Sequence, residues 1–389
     1  MMSRLRQLDA ARLRNTLGVR LALILLLAAL LRLYQINQPF TDAFSWRQVS
    51  VAMMAENYHH TNWNIFYPEV NWSGPGPNYQ GREFQTVSYL AALLYTFTGQ
   101  QDWVGRGIAI GFGLWGIFAL YQLVRRVWDE TPALPAAAVM AVLPASIIVE
   151  RSFLPDPAMV ALVVTGLWLW IAYLQTGRPS YLLLSGMISA WGFCTKVPGL
   201  IVGLPMAYAA LAVLGYRQLL RPKKIAALAF FALVTLVPVT AYYLWARHLA
   251  LTYPPYHFAG DGNWLWHDGL GRWLEKGYFL PQLIPLLNNW LWSAPVIGLV
   301  GLSLFLRPPA TKEDATGPKA PWLFHWWLAA GAVFYLIGAQ ELVKNPWNFH
   351  ILSPAVAALA GHAMLVLAAA AGRLAQPAPA LVKGGLLLL

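Results

Sequence analysis

Charge is scarce in this chain. Only 11% of its 389 residues are Asp, Glu, Lys or Arg, against 58% hydrophobic, where soluble domains run near a quarter charged. With a mean hydropathy of +0.50, the composition excludes a soluble globular class and points to an integral membrane protein. Cysteine is nearly absent: the lone Cys194 excludes an internal disulfide and leaves the redox compartment open. Acids are fewer than bases, 16 against 27, giving a net charge of +11. That excess does not imply nucleic acid, because the bases are scattered over many short loops instead of one face. A multispan protein with basic cytoplasmic loops acquires such a balance from its topology. No nucleotide-binding glycine loop is read, which disfavours a soluble nucleotide-sugar donor. No small-residue cleavage site follows the first apolar run, so that run reads as a retained helix and not a signal peptide.

What the chain does have is apolar runs long enough to span. A spanning helix takes about 20 apolar residues. The candidates are 17–36, 103–125, 132–150, 157–176, 180–196, 198–215, 224–247, 283–306, 321–339 and 349–371. The expected fold is all-α, a polytopic bundle of ten spans. A further stretch, Phe84–Gly99, is short and carries Gln85, Thr86, Ser88, Thr96 and Thr98, which suits a helix lying in the interface. Leaving it out of the count places 17 of the 27 basic residues on one side, including Arg125, Arg126, Arg217, Lys223, Lys224 and Lys312. By the positive-inside rule that side, with the N-terminus, is cytoplasmic. Acids show the opposite bias: 11 of the 16 fall outside. A working outer face accounts for that. The final Gly-Gly-Leu-Leu-Leu-Leu reads as a span cut short.

The first outer loop, 37–102, is long, and long loops are usually functional or disordered. Its aromatics (Trp46, Trp63, Phe66, Tyr67, Trp72, Tyr79) argue against disorder. It opens with Asn-Gln-Pro-Phe-Thr-Asp-Ala-Phe-Ser-Trp-Arg-Gln, which sets Asp42 and Arg47 among aromatics just past a span. A belt of interface anchors would look similar. Residues 45–58 carry Trp46, Val49, Met53 and Met54 at helical spacing and predict a short amphipathic surface helix. Arg82 and Glu83 end a turn-rich segment. The adjacent His59 and His60 cannot face one way on a helix and lack a third ligand, so no metal site is assigned. Asp156, between Pro155 and Pro157, suits a helix N-cap or a place in a cavity shared with Asp42. Glu150 and Arg151 are expected to pair with each other. Lys196 and Arg32 read as snorkelling side chains or as functional charges. The second outer loop, 248–282, has Trp, Tyr and carboxylates suited to sugar or headgroup contact, with Arg247 just before it. The last outer loop, Glu341–Pro354, brings Lys344 and His350 to the same face.

The outer face thus gathers carboxylates Asp42, Glu83 and Asp156 with cations Arg47, Arg82, Lys196, Arg247 and Lys344, plus His350. Cations at an interface bind phosphate, and a carboxylate there can serve as general base. Together they describe a site that holds a lipid-phosphate leaving group and activates a nucleophile.

These residues resemble the membrane glycosyltransferases of the GT-C class. They are similar to the family of dolichyl-phosphate-mannose protein mannosyltransferases and aminoarabinose transferases over about 19–215, with one motif at 344–361. Leu31-Arg32-Leu33 followed by Asp42-Ala43 matches that family's first span and outer-loop acids. Leu154-Pro155-Asp156-Pro157 matches its second acid motif. Gly186–Lys196 is similar to its glycine–lysine segment, with Val197 in place of a glycine, and Phe349–Pro354 is similar to its late proline element. The resemblance implies an inverting transfer of a sugar from a polyprenyl-phosphate donor to an acceptor (protein, lipid or glycan) at the outer face of a bacterial plasma membrane. Asp42 would be the general base and Asp156 would orient the acceptor or hold Arg47 or Lys196. Arg82, Lys196, Lys344 and Arg247 would grip the phosphate. Ala43 departs from the family's second acid, and Arg82-Glu83-Phe84 stands where the family has lysine-proline. A divalent cation is left open by the resemblance, without a ligand set here to hold it. Two other classes compete: a transporter or flippase of a lipid-linked saccharide, against which stand the lack of a repeat and the one-sided charges, and a non-catalytic lipid-binding assembly partner.

Overall fold

The computed structural model describes residues 2–309 and 319–375, except residue 43 and most of 263–279. Among the described residues it is helical, with isolated bridges such as Glu69 to Tyr79 and no strands. In chain order come α1 (Met2–Leu33), α2 (Ser45–His60), α3 (Thr86–Thr98), α4 (Asp102–Val127), α5 (Glu130–Val142), α6 (Pro144–Glu150), α7 (Asp156–Thr176) and α8 (Pro179–Thr195). A 3-10 turn, Val197–Val202, leads into α9 (Gly203–Leu214), followed by α10 (Tyr216–Leu219) and α11 (Pro222–Thr252). The later helices are Leu280–Leu286, Ala294–Phe305, Leu323–Lys344 and Ser353–Ala375, the last preceded by a 3-10 helix, Pro346–Leu352.

Helices stand at all ten stretches expected to span. Among the described residues six are long and apolar enough to cross a membrane, or eight if two bent pairs each count as one span. Phe84–Gly99 is indeed short: α3 has 13 residues, about 20 Å at 1.5 Å per residue against a hydrocarbon core near 30 Å. Lys312, Glu313, Asp314, Asp268 and Arg272 lie outside the described residues, as does the C-terminal leucine run.

The bundle is organised around α7, whose apolar window is 94% buried between α4 and α8. Small residues permit the close approach, as usual for helices packed in lipid. A Cβ on Gly166 would meet Ser189 at 2.2 Å, and one on Gly192 would meet Val163 at 2.9 Å. By contrast, the most apolar stretch of α11 is 11% buried and the helix leans mainly on α8, so its aliphatic surface is left for lipid. The sequence Gly111-Phe112-Gly113-Leu114-Trp115-Gly116 spells a GxGxxG pattern that the sequence reading passed over. It lies inside α4, where Gly113 abuts Glu150 and Gly116 abuts Ala161. Without a preceding strand it carries no nucleotide reading.

The loop 37–102 has its own core. Val51, Met54, Ala55, Tyr58, Val70, Val87, Ala91 and Tyr95 pack on Val104, Phe112 and Phe153 of the bundle. The buried face of α2 is not the expected one. Trp46 and Val49 are 59% and 42% exposed, while Arg47, Gln48 and Ser50 are buried with Val51 and Met54. The helix is rotated because its polar groups have partners in the interior.

Two expected pairings are corrected. Glu150 does not pair with Arg151, and Arg32 does not snorkel. Pro144 lacks the N–H that would bond the carbonyl four residues back, and the span bends by 58° there. Arg32, fully buried, fills the gap: it donates to the carbonyls of Ala141 at 2.9 Å and Met140 at 3.5 Å, and pairs with Glu150 at 2.7 Å. His350 lies 3.1 Å from the other Glu150 oxygen. Arg151 instead donates to the Tyr34 carbonyl at 2.6 Å.

Candidate active site

A cavity of about 400 Å³ is lined by residues of the long loops 37–102 and 248–282 and by helix ends of the bundle. One wall carries Arg47, Arg82, Glu83 and Lys196. Asp261, Glu341, Asn345 and Asn348 line the cavity as well, with Glu341 and Asp261 near enough to act on the Arg82 charge. Aliphatic side chains such as Leu200 and Ile201, together with Trp46, Trp264 and Trp347, complete it.

The basic wall is built by three segments that local structure forces together. Lys196 ends α8 in an extended conformation because Pro198 follows and cannot continue the helix. The segment before α3 docks on that helix end: the Phe84 N–H donates to the Cys194 carbonyl at 2.9 Å, and Thr86 Oγ1 lies 2.7 Å from Thr195 Oγ1. Gly81 allows the approach from the other side, since a Cβ there would lie 2.0 Å from the Ala246 carbonyl oxygen of α11. Arg47 arrives on the buried face of α2 and pairs with Glu83 at 2.5 Å. Lys196 Nζ donates to both oxygens of Asp156, at 2.7 and 2.8 Å, in a pair closed to solvent.

The cations are therefore unequal. Arg47 and Lys196 each have a carboxylate partner. Arg82 lies within 4 Å of no carboxylate among the described residues. Burial and the neighbouring Arg47 hold its guanidinium below the usual range, though an arginine remains charged. Glu83 is the opposite case. Burial opposes its charge, yet Arg47, Arg82 and Lys196 around it pull its carboxyl down to about 2. That makes it a counter-ion and a very weak base.

The two expected catalytic acids do not share this cavity as lining groups. Asp156 is the first residue of α7, whose N-cap position is Pro155, and its carboxylate accepts from Lys196 and from no backbone N–H among the described residues. Its charge serves Lys196. Asp42 is off the cavity lining, its side chain 28% exposed. It accepts hydrogen bonds from Gln38 Nε2 at 3.2 Å, from the Phe44 N–H at 3.3 Å and from Gln48 Nε2, and lies 3.7 Å from Arg106. Its cationic neighbour is thus Arg106, not Arg47. The buried Gln48 ties the two acid segments, since its Oε1 accepts from the Phe153 N–H at 2.9 Å.

The other expected residues lie elsewhere. Arg247 lines a second cavity, which shares the Ala259–Asp261 wall with the first. Lys344 is exposed and off the cavity lining. His350 is fully buried against Glu150. Sequence reasoning missed Arg106, which is fully buried and holds the Ile36 and Pro39 carbonyls at 3.2 Å each. An arginine inside the apolar run 103–125 was the available signal. Among the described residues no group of three or more His, Cys, Asp or Glu is placed to hold a metal ion.

Three comparisons bear on this geometry. Residues 86–242 match the family model described as "Dolichyl-phosphate-mannose-protein mannosyltransferase". A protein of Bacillus subtilis (strain 168) named "Putative mannosyltransferase YkcB" is 27% identical over 190 residues, which is 47% of this chain and 25% of that protein. Crystal structures of ArnT from Cupriavidus metallidurans, without ligand and bound to undecaprenyl phosphate, superpose with a TM-score of 0.63 in each case. They are 15% and 14% identical and match 91% and 90% of this chain, but 60% of their own. The apo oligosaccharyltransferase of Archaeoglobus fulgidus superposes at 0.51, with 15% identity, over 87% of this chain and 50% of its own. This chain thus spans a quarter of the curated relative and 60% of the ArnT chains. Over residues 86–242 the chain is thus similar to the mannosyltransferase family model, and over most of its length it shares the helical fold of the ArnT structures.

Proposed function

We propose that this chain is an inverting glycosyltransferase that takes a sugar from a polyprenyl-phosphate donor and passes it to an acceptor at the outer membrane–water interface. The observation that carries the reading is the cavity wall on which Arg47, Arg82 and Lys196 converge beside an aliphatic surface. A polyprenyl phosphate needs both halves of that pairing, an anion site and contact with hydrocarbon. The ArnT structure bound to undecaprenyl phosphate supports the ligand class by fold likeness.

In this reading Arg82, which has no carboxylate within 4 Å among the described residues, is the first to meet the donor phosphate. Arg47 and Lys196 add positive potential but keep Glu83 and Asp156 as counter-ions. As the acceptor oxygen bonds to the anomeric carbon, the carbon–oxygen bond to phosphate breaks. The electron pair leaves with the phosphate into the cationic wall, and the acceptor proton passes to a carboxylate, assigned to Asp42. Asp156 is the partner of Lys196 in this scheme. Arg247 borders the second cavity and is kept as an acceptor-side contact.

The N-terminus is assigned to the cytoplasm and the cavity to the outer face of a bacterial plasma membrane, with ten spans, on the basic-residue asymmetry. Cysteine labelling at position 223 from outside should fail. The chemistry is tested by incubating the purified protein in liposomes with a radiolabelled polyprenyl-phosphate sugar and an envelope fraction. Label leaving the donor lipid, at a rate that falls with Asp42→Asn, is the expected result. A donor that neither binds nor turns over refutes the reading.

A further inference from the structure

The last outer segment was expected to contribute Lys344 and His350. The structure turns both away from the cavity and turns the residues between them toward it. Asn345, Trp347 and Asn348 all line the cavity that Arg47, Arg82 and Lys196 also line. In a 3-10 helix residues three apart eclipse one another, so Asn345, which caps Pro346–Leu352, and Asn348 stand on one face.

Each is in a specific state. Asn345 Nδ2 is committed to Glu341, at 2.6 Å from the carboxylate and 3.2 Å from the carbonyl, which leaves Oδ1 as an acceptor. Asn348 is 9% exposed, and its amide makes no hydrogen bond to any described residue. It offers two N–H donors and one acceptor to an occupant of the cavity it lines. Trp347 is fixed edge-on against Phe44, with ring centroids 5.0 Å apart at 74°. Trp46, braced by Trp72 at 5.0 Å, stands at the same cavity.

An unmatched amide, an acceptor oxygen and flat aromatic faces suit a neutral, polyhydroxylated ring better than a charged or aliphatic group. Hydroxyls both give and take hydrogen bonds, and the C–H face of a sugar packs on an aromatic ring. We propose that Asn345, Trp347 and Asn348 form the subsite for the sugar ring of the donor, in the cavity that the phosphate-binding cations also line. Asn348 bonds ring hydroxyls and Trp347 lies against the ring. This rests on the donor reading above and adds the residues that distinguish a glycosylated from a bare prenyl phosphate.

The test is a binding measurement in detergent with two probes, farnesyl phosphate and farnesyl phosphate carrying mannose. Wild type should bind the mannosyl probe about tenfold more tightly. Asn348→Ala should remove most of that tenfold preference while leaving farnesyl phosphate within about twofold. Arg82→Ala should weaken both probes alike. Asn348→Leu, close to asparagine in volume, gives the same reading where truncation fails to fold. Equal losses on both probes, or none, overturn the subsite while the donor reading stands. If wild type binds neither probe, the donor reading falls and the subsite with it.

Discussion

Glu83→Gln separates the electrostatics of the cavity from its shape. Glu83 sits among Arg47, Arg82 and Lys196, is 14% exposed, and has its carboxyl drawn from 4.5 to about 2. At about 1.4 kcal/mol per pKa unit, the folded state favours the charged form by on the order of 3 kcal/mol. Glutamine keeps the side-chain volume and an oxygen for Arg47 but leaves three cations facing one another. The variant should therefore be destabilised by about 3 kcal/mol at pH 7, the low end of the range for removing one partner of a buried pair. The pH dependence has a definite sign. A depressed carboxyl contributes fully above its unfolded value near 4.5, and the contribution disappears as pH falls toward 2. The gap between wild type and variant should thus shrink to less than about half by pH 3. Denaturant titration in mixed micelles, followed by tryptophan fluorescence from pH 7 to 3, measures both quantities. A variant within about 1 kcal/mol of wild type at pH 7, or a gap independent of pH, would refute the reasoning.

Arg82→Ala should weaken prenyl-phosphate binding about ten- to hundredfold, the range for charge-assisted hydrogen bonds, with little change in thermal stability. Isothermal titration with farnesyl phosphate reads it. Lys196→Met should act chiefly on the fold: it strands the fully buried Asp156, costing about 3–5 kcal/mol, and the double change Lys196→Met with Asp156→Leu should recover most of that in a denaturant series. Asp42→Asn should keep the melting temperature within a few degrees and lower sugar transfer about 10²–10⁴-fold. Gln48→Leu should lower transfer without weakening prenyl-phosphate binding, since Gln48 touches Asp42 and Phe153 but not the cavity.

Much of the architecture was legible because the bilayer leaves few options. With no water to satisfy backbone groups, long apolar runs must be helices, and helices stand at all ten stretches. The polar residues were legible as a set but not as pairs. Asp42 and Arg47 are five apart in sequence, yet α2 turns Arg47 to Glu83 and leaves Asp42 to Arg106, 64 positions on. Nothing in the local sequence specifies that choice. The rotation of α2 was misread for a related reason: its buried face carries Arg47, Gln48 and Ser50, and apolar periodicity cannot anticipate a polar interior. The late motif was found in the right place with the wrong residues. His350 looks like surface chemistry next to Lys344, but the bend at Pro144 creates a buried carboxylate, Glu150, that takes it.

The three carboxylates on the basic side now have unequal chemistry, and that bears on which can accept a proton. Asp156 has both oxygens held by Lys196 and no exposure, so taking a proton would break a buried pair. Glu83, held near 2 by the cations around it, is too weak a base to compete for a hydroxyl proton near neutrality. Asp42 is bound mainly by neutral donors, the amides of Gln38 and Gln48 and the Phe44 N–H, with Arg106 farther off at 3.7 Å. It alone of the three is more than a quarter exposed. Those neutral donors orient the carboxylate without the close ion pair that occupies Glu83 and Asp156. The segment that carries Asp42 also carries Trp46 and Arg47 of the cavity wall, so any shift of that wall on phosphate binding moves the acid with it. Gln48 makes the coupling explicit: one end holds Asp42, the other the turn that leads to Asp156 and Lys196.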